Sequence, residues 1–327
     1  MSTLQHILRA LRKSGDTGIH GTAISETLGI SRTAVWSHIE ELRSLGFGID
    51  AEPHSGYRMT SIPDVLLGDD IRSQLPPDIL LGRDIRIFRE TASTNQLVDQ
   101  MGLSGENEGL AVFAESQTHG RGRLGRKWIS PQNKGLWFSV LLRPPLRPPE
   151  MTQLTVIAAT ALTRAIRQVT DLKPDIKWPN DILINGRKVA GVLTEMSAEP
   201  DRVLHAVLGI GVDVNLEETD FPPELHSIAT SLRLESGAPV MRSTLAVRLL
   251  EALDQDYKRI LNGEFEAVAE EWESQCITLG KHVRIHQMDR TFEGYAESLD
   301  SEGALMIRNP TGHLERVTGG DVTFKKD

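Results

Sequence analysis

The sequence predicts a multidomain α+β protein: a winged helix-turn-helix at the N-terminus, a central mixed β-sheet with helices, and a small C-terminal β-barrel. Three observations carry this. Two helical stripes joined by a glycine turn precede a hairpin in the first 61 residues. Strand-like and helical stretches then interleave, and five short strand-like runs separated by turns close the chain. A length of 327 residues exceeds one core, so several domains are expected. Their bounds read as residues 1–65, a linker at 66–84, a central domain at 85–267 and a C-terminal domain at 268–327.

Hydrophobic content of 39% and charged content of 25% are those of a soluble globular protein. The net charge of −9 gives no general pull toward nucleic acid or anionic lipid. Cys276 is alone, which excludes a disulfide framework and fits a reducing, cytoplasmic setting. The longest apolar run, near residues 154–162, is too short and interrupted to span a bilayer, and no signal-peptide core opens the chain.

In the N-terminal segment Leu4, Ile7, Leu8 and Leu11 recur at helical spacing. Thr22 begins a second helix with Ala23, Ile24 and Leu28 as its apolar stripe. Gly29-Ile30-Ser31 breaks it, and Ser31 can cap a third helix over residues 32–45 with Val35, Ile39 and Leu42 inward. Phe47, Ile49 and the turn His54-Ser55-Gly56-Tyr57-Arg58 read as a hairpin wing. The pattern is that of a winged-helix DNA-binding domain. Ser31, Arg32, Thr33, Trp36 and Ser37 then lie at the exposed start of the recognition helix, which enters the major groove. Residues 1–65 hold six Lys/Arg against seven Asp/Glu, a net charge of about −1, so affinity must come from a local patch and from dimerisation. A winged helix used for protein contacts is the plainer alternative. Residues 66–84 form a connector, with a short helix at 65–75 between Pro63 and Pro76-Pro77.

The central domain opens with a strand at Ile85, Ile87 and Phe88. Ser93-Thr94-Asn95 follows, which by itself reads as a helix N-cap. Its most distinctive stretch is Gly120-Arg121-Gly122-Arg123-Leu124-Gly125-Arg126-Lys127-Trp128. Three glycines permit close backbone approach and four cations supply fixed positive charge, so the loop should close over an anion. Gly120-x-Gly122-x-x-Gly125 has the letters of a dinucleotide fingerprint. The context is wrong: Trp128-Ile129-Ser130-Pro131 follows where a helix is needed, and Pro144-Pro145-Leu146-Arg147 stands where an acidic residue is needed. A phosphate-binding P-loop is excluded by Arg126-Lys127 in place of Gly-Lys-Ser/Thr.

A helix over residues 152–170 is followed by Lys177-Trp178-Pro179-Asn180-Asp181. Pro179 breaks the pattern and aims Asn180 and Asp181 outward. Asn185-Gly186 marks a type I′ hairpin, returning through Arg187-Lys188-Val189-Ala190-Gly191. A lysine beside a hairpin turn is ordinarily a solvated residue. A strand at 207–212 runs into Asp213-Val214-Asn215, and a long helix occupies 243–261. The helices are expected on one side of the sheet. Short strands near 282–285, 292–299, 304–307, 314–317 and 322–324 suggest the small barrel. His282 and His286 lack Cys neighbours and the other histidines are scattered, so no protein metal site is expected.

Gly-Arg-Gly-Arg-x-Gly-Arg-x-Trp resembles the signature loop of biotin–protein ligases. Ser93-Thr94-Asn95, Gln117, Lys-Trp-Pro-Asn-Asp and Arg-Lys-Val-Ala-Gly are similar to further blocks of that family, so the resemblance covers nearly the whole chain. It implies an ATP-dependent, AMP-forming ligase that makes biotinyl-5′-AMP and transfers biotin to a lysine of a biotin carboxyl carrier protein. Acceptors would belong to acetyl-CoA carboxylase and other biotin-dependent carboxylases. Members with this N-terminal domain also repress biotin genes, which implies operator DNA and a homodimer as partners, with no membrane. By the same resemblance Ser93, Thr94, Asn95, Gln117, Arg121, Gly122, Arg123 and Lys188 bind biotin. Trp128, Asn180, Asp181 and Asn215 bind the adenylate, and Lys188 and Arg123 are catalytic. ATP, biotin and Mg²⁺ are the implied cofactors, and the barrel is SH3-like. Two positions depart from the family pattern: Ala92 where an acidic residue is usual, and Asp213 in place of the first Asn of Gly-x-Gly-x-Asn-x-Asn. The rivals are a lipoate or octanoate ligase, which would need a long apolar slot and no triple-arginine loop, and a biotin-sensing repressor without catalysis.

Overall fold

The computed structural model describes residues 2–52, 55–287 and 290–324. The chain divides into two compact units, Met1–Asp78 with Met241–Val247, and Ile79–Val240 with Arg248–Asp327.

In the first unit Ser2 caps helix α1 (Thr3–Ser14), accepting from the Gln5 amide while Gln5 Oε1 accepts from Ser2 N–H. Leu4, Ile7, Leu8 and Leu11 form the buried stripe. Helix α2 (Gly21–Leu28) ends at Gly29, whose φ of 63° is left-handed. Helix α3 (Arg32–Ser44) is capped by Ser31 and turns Val35, Ile39 and Leu42 inward. Strands β1 (Gly48–Glu52) and β2 (Gly56–Ser61) pair antiparallel as the wing. His54 of the expected turn lies outside the described residues. The connector helix α4 (Gly68–Gln74) packs on α1: Arg12 Nη2 lies 2.6 Å from Asp70 Oδ1, and Arg9 donates to the Ser73 and Leu75 carbonyls. Buried Arg242, from the returning segment, bonds Asp64 Oδ2 at 3.1 Å.

The second unit is built on a seven-stranded mixed sheet ordered β3-β4-β5-β9-β8-β7-β6. Its strands are β3 (Asp84–Phe88), β4 (Leu110–Ala114), β5 (Leu136–Leu142), β6 (Asp175–Lys177), β7 (Asp181–Ile184), β8 (Arg187–Ala198) and β9 (Val203–Val212). Only β3 and β4 pair parallel. Asn185 (φ 52°) and Gly186 (φ 79°) make the expected tight turn between β7 and β8.

Helix α5 (Thr94–Leu103) lays Val98 on the face carrying Val112, Leu141 and Val207. Helix α6 (Thr152–Val169) bonds the opposite face, Thr155 Oγ1 meeting Thr194 Oγ1 at 2.9 Å. Thr194 pairs with Leu208, one residue out of phase with Val207, so its side chain points the other way. Helices therefore cover both faces, which corrects the expectation of one. The reason is compositional: every residue of β4 and β5 is buried, so each face needs a cover.

Helix α7 (Leu232–Ser236), helix α8 (Arg242–Leu261) and helix α9 (Phe265–Gln275) follow. The last runs straight across residues 267–268, where the sequence suggested a boundary. Strands β10 (His282–Gln287), β11 (Arg290–Leu299), β12 (Leu305–Arg308), β13 (Leu314–Val317) and β14 (Asp321–Phe324) form an antiparallel sheet ordered β13-β12-β11-β10-β14.

Candidate functional site

Ser93 occupies the N-cap position of α5, yet its side chain makes no capping bond. The whole triplet is buried, Ser93, Thr94 and Asn95 being 3%, 4% and 4% exposed, so a capping role alone does not account for it. Asn95 Nδ2 donates to the Leu193 carbonyl (3.1 Å) and to Glu195 Oε2 (2.7 Å), while its Oδ1 accepts from Ser139 Oγ at 2.6 Å. Gly209 is required beneath it, because a Cβ there would collide with Asn95 Oδ1. The Thr94 amide donates to Gln117 Oε1 at 2.9 Å, and Gln117 Nε2 donates to Ser130 Oγ at 3.0 Å.

Gln117 and Ser130 stand on the two sides of the glycine-rich loop and so clamp its base. Above them Trp128 N–H donates to Gly120 O, and Gly122 N–H to Arg126 O, folding the segment into a narrow hairpin. Leu124, at the tip, is left-handed with φ 57°. The three arginines turn to three different partners. Arg121 Nη2 lies 3.1 Å from Glu195 Oε2, and Arg123 Nη1 donates to Asn180 Oδ1 at 3.2 Å. Arg126 bonds both carboxylate oxygens of Asp321 on β14. Burial lowers the Arg123 pKa, against the opposing pull of Asp181 and Asp321.

The other pole gathers the Trp-Pro-Asn-Asp block and the hairpin lysine. Lys188 Nζ lies 2.5 Å from Asp181 Oδ1 and 5.1 Å from the centre of the Trp128 ring. Trp128 sits against Gly211, where a Cβ would come within 2.8 Å of its Nε1; that N–H is buried without a partner. Asn180 is not aimed outward as expected. Its Nδ2 donates to the Val192 carbonyl at 2.7 Å, turning the side chain back onto β8. Arg123, Asn180 and Glu195, with Thr155 of α6 and Thr194, border a cavity of about 320 Å³; Asn95, Gln117, Trp128 and Lys188 do not line it.

Asp213, at the end of β9, is buried, and desolvation holds its carboxyl pKa well above the usual 3.8, with nearby Lys188 pulling the other way. Asn215 is placed differently from the rest. Its Nδ2 donates to Val240 O and its Oδ1 accepts from Val240 N–H, both at 2.9 Å, so the amide works as a backbone clamp. In the first unit Ser31, Arg32, Thr33, Trp36 and Ser37 are all exposed on α3; Ser31 Oγ is engaged by the Ala34 amide.

The structure thus joins Thr94, Asn95 and Gln117 in one network, and Arg123, Asn180, Asp181, Lys188 and Trp128 in another. Such a site can hold a planar group with mixed donors and acceptors at one end and neutralise an anion at the other. Four residues were missed from sequence: Ser130, Ser139, Glu195 and Asp321. Only Ser139 left a signal, as the lone polar residue within an apolar strand run. Among the described residues no cluster of three metal-ligating side chains occurs, and no helix is long and apolar enough to cross a membrane.

Residues 87–213 match the Biotin/lipoate A/B protein ligase family, residues 3–58 an HTH domain, and residues 278–325 the Biotin protein ligase C terminal domain. The chain is 37% identical to the bifunctional ligase/repressor BirA of Bacillus spizizenii over 98% of each chain. It is 28% identical to that of Escherichia coli over 93% of this chain and 92% of the other. Among solved structures, biotin protein ligase from Aquifex aeolicus in complex with biotin and ATP superposes with a TM-score of 0.63 at 28% identity, covering 75% of this chain and all of that one.

Proposed function

The chain belongs to the biotin–protein ligase family, and from that membership we propose that it is a bifunctional enzyme and repressor. It condenses biotin with ATP to biotinyl-5′-AMP, then transfers biotin to a lysine of a biotin carboxyl carrier protein. The acceptors are acetyl-CoA carboxylase and other biotin-dependent carboxylases. Through the N-terminal helix-turn-helix it binds operator DNA and represses biotin genes as a homodimer in the cytoplasm.

The observation that carries the ligase reading is that Asn95 stands over Gly209 and Trp128 over Gly211, two residues apart on β9, so the two networks meet along one strand. Ser93, Thr94, Asn95 and Gln117 receive the ureido group, whose two N–H donors and one carbonyl match hydroxyl and amide partners. Arg121, Gly122, Arg123 and Lys188 enclose the valerate and its carboxylate. Trp128, Asn180 and Asp181 flank the adenylate, while Asn215 acts behind them as a clamp.

In the first step a biotin carboxylate oxygen attacks the α-phosphorus of ATP, and the bond to pyrophosphate breaks. Lys188 and Arg123 offset the repulsion between the two anions. In the second step the neutral acceptor amine attacks the acyl carbon, forming an amide and releasing AMP. Positioning and charge neutralisation are the protein's contribution. Mg²⁺ would be held mainly by the ATP phosphates, whose charge it would offset, a mode that asks few ligands of the protein.

The proposed division of labour gives DNA binding to residues 1–65, the pocket to the central sheet, and an SH3-like barrel to the C-terminal strands, with α9 crossing the expected 267/268 bound. The test is pyrophosphate exchange into ATP. Dependence on biotin supports the reading; dependence on lipoate or octanoate instead, or no exchange at all, overturns it.

A further inference from the structure

Glu195 belongs to none of the sequence blocks, yet it touches both halves of the site. Its Oε2 accepts from Asn95 Nδ2 at 2.7 Å and lies 3.1 Å from Arg121 Nη2. One carboxylate oxygen therefore joins the buried triplet to the glycine-rich loop. The join continues inward, since Asn95 Oδ1 accepts from Ser139 Oγ.

Two consequences follow from the chemistry. A carboxylate and the Leu193 carbonyl are both acceptors only, so together they admit nothing but the Asn95 –NH₂ on that side. The Asn95 carbonyl oxygen is thereby fixed toward Ser139 and over Gly209, where no Cβ is tolerated. Without Glu195, half of that orienting arrangement is gone. The second consequence concerns the loop. Arg121 and Glu195 are 46% and 39% exposed, and exposed ion pairs shift an equilibrium by no more than about fivefold. The pair is strong enough to bias the loop toward the sheet and weak enough to release it.

We propose that Glu195 is a positioning residue of the ligase, holding the Asn95 amide in its ligand-receiving orientation and latching Arg121, and with it the glycine-rich loop, to the same point. This rests on the biotin reading of the pocket given above. Glu195 acts through Asn95 and Arg121, so its removal should show in substrate capture more than in turnover.

Two variants separate the two contacts. Glu195→Gln keeps an oxygen for Asn95 Nδ2 and loses the charge facing Arg121; Glu195→Ala loses both. Trypsin cleavage after Arg121 and Arg123 in the full-length, ligand-free protein should accelerate two- to fivefold in both variants. The KM for biotin should rise tenfold or more in Glu195→Ala, with kcat changed less than threefold, and should stay within threefold of wild type in Glu195→Gln. A wild-type cleavage rate in Glu195→Gln overturns the latch, and this arm stands even if Glu195→Ala fails to fold. A wild-type KM in a folded Glu195→Ala, or equal losses in both variants, overturns the positioning of Asn95. Absence of biotin-dependent exchange in the unmodified protein would instead defeat the ligase reading, while the cleavage result would still report on the loop.

Discussion

Arg123 reaches from the glycine-rich loop to Asn180, its Nη1 donating to Oδ1 at 3.2 Å across 57 residues of sequence. Asn180 in turn donates to Val192 O, so the arginine is anchored to the sheet through one side chain. Hydrogen bonds to a charged group contribute about 1.5–3 kcal/mol. Arg123→Ala should therefore release biotinyl-5′-AMP roughly ten- to a hundredfold faster, with little change in melting temperature. Dissociation of labelled adenylate, chased with unlabelled, measures this; an unchanged off-rate removes Arg123 from the site.

Lys188 is held by Asp181 at 2.5 Å. Attraction between unit charges near 4 Å is about 4 kcal/mol at an effective dielectric of about 20. Losing part of it as carboxylate and phosphate approach should slow adenylation by roughly 10²–10³ in Lys188→Ala. Lys188→Arg should recover only part of the rate, since a planar fork does not replace a compact charge. Single-turnover rates from biotin plus ATP, and separately from synthetic adenylate, should show the larger loss in the first. An unchanged first rate reduces Lys188 to a solvated lysine beside a turn.

Asp213 predicts a pH effect of definite sign. Its folded pKa is raised well above 3.8 by burial, so above that pH the unfolded chain releases a proton that the folded chain keeps. The unfolded state then binds fewer protons, and stability falls as pH rises. Asp213→Asn removes this contribution and should flatten the fall. Chemical denaturation of both proteins at several pH values is the measurement; parallel curves would show that Asp213 ionises normally.

Trp36 is 54% exposed on α3, so it is no core residue. Trp36→Ala and Arg32→Ala should each weaken specific operator binding about tenfold or more, the ~1–3 kcal/mol range of a base contact, and leave acceptor biotinylation intact. A gel shift run beside a biotinylation assay decides. Full operator affinity in both variants would favour a protein-contact role for the winged helix.

Asn215 should behave as a clamp. Asn215→Ala leaves the Val240 N–H and C=O without their side-chain partners, at a cost of about 1–3 kcal/mol for each unsatisfied buried group. Stability should drop while the KM for ATP in the folded fraction stays near wild type. A raised KM with unchanged stability would return Asn215 to the nucleotide.

The sequence by itself determined the order of winged helix, mixed sheet and C-terminal strands, the helix pattern of the first 44 residues and the Asn185-Gly186 turn, and it singled out residues 93–95, 117 and 120–128 as candidates. These are legible because capping, periodicity and φ > 0 turns are local, and because the glycine-arginine loop is too specific to arise as surface. Tertiary structure alone decided the rest. That α5 and α6 take opposite faces depends on which side of β8 and β9 lacks cover, a property of pairing register. Glu195, Ser139 and Asp321 entered the site because strands far apart in sequence are neighbours in space. Asn215 is held by Val240, 25 residues on, through both its amide atoms. Side-chain partners across a sheet are fixed by packing, and no local rule of spacing encodes them.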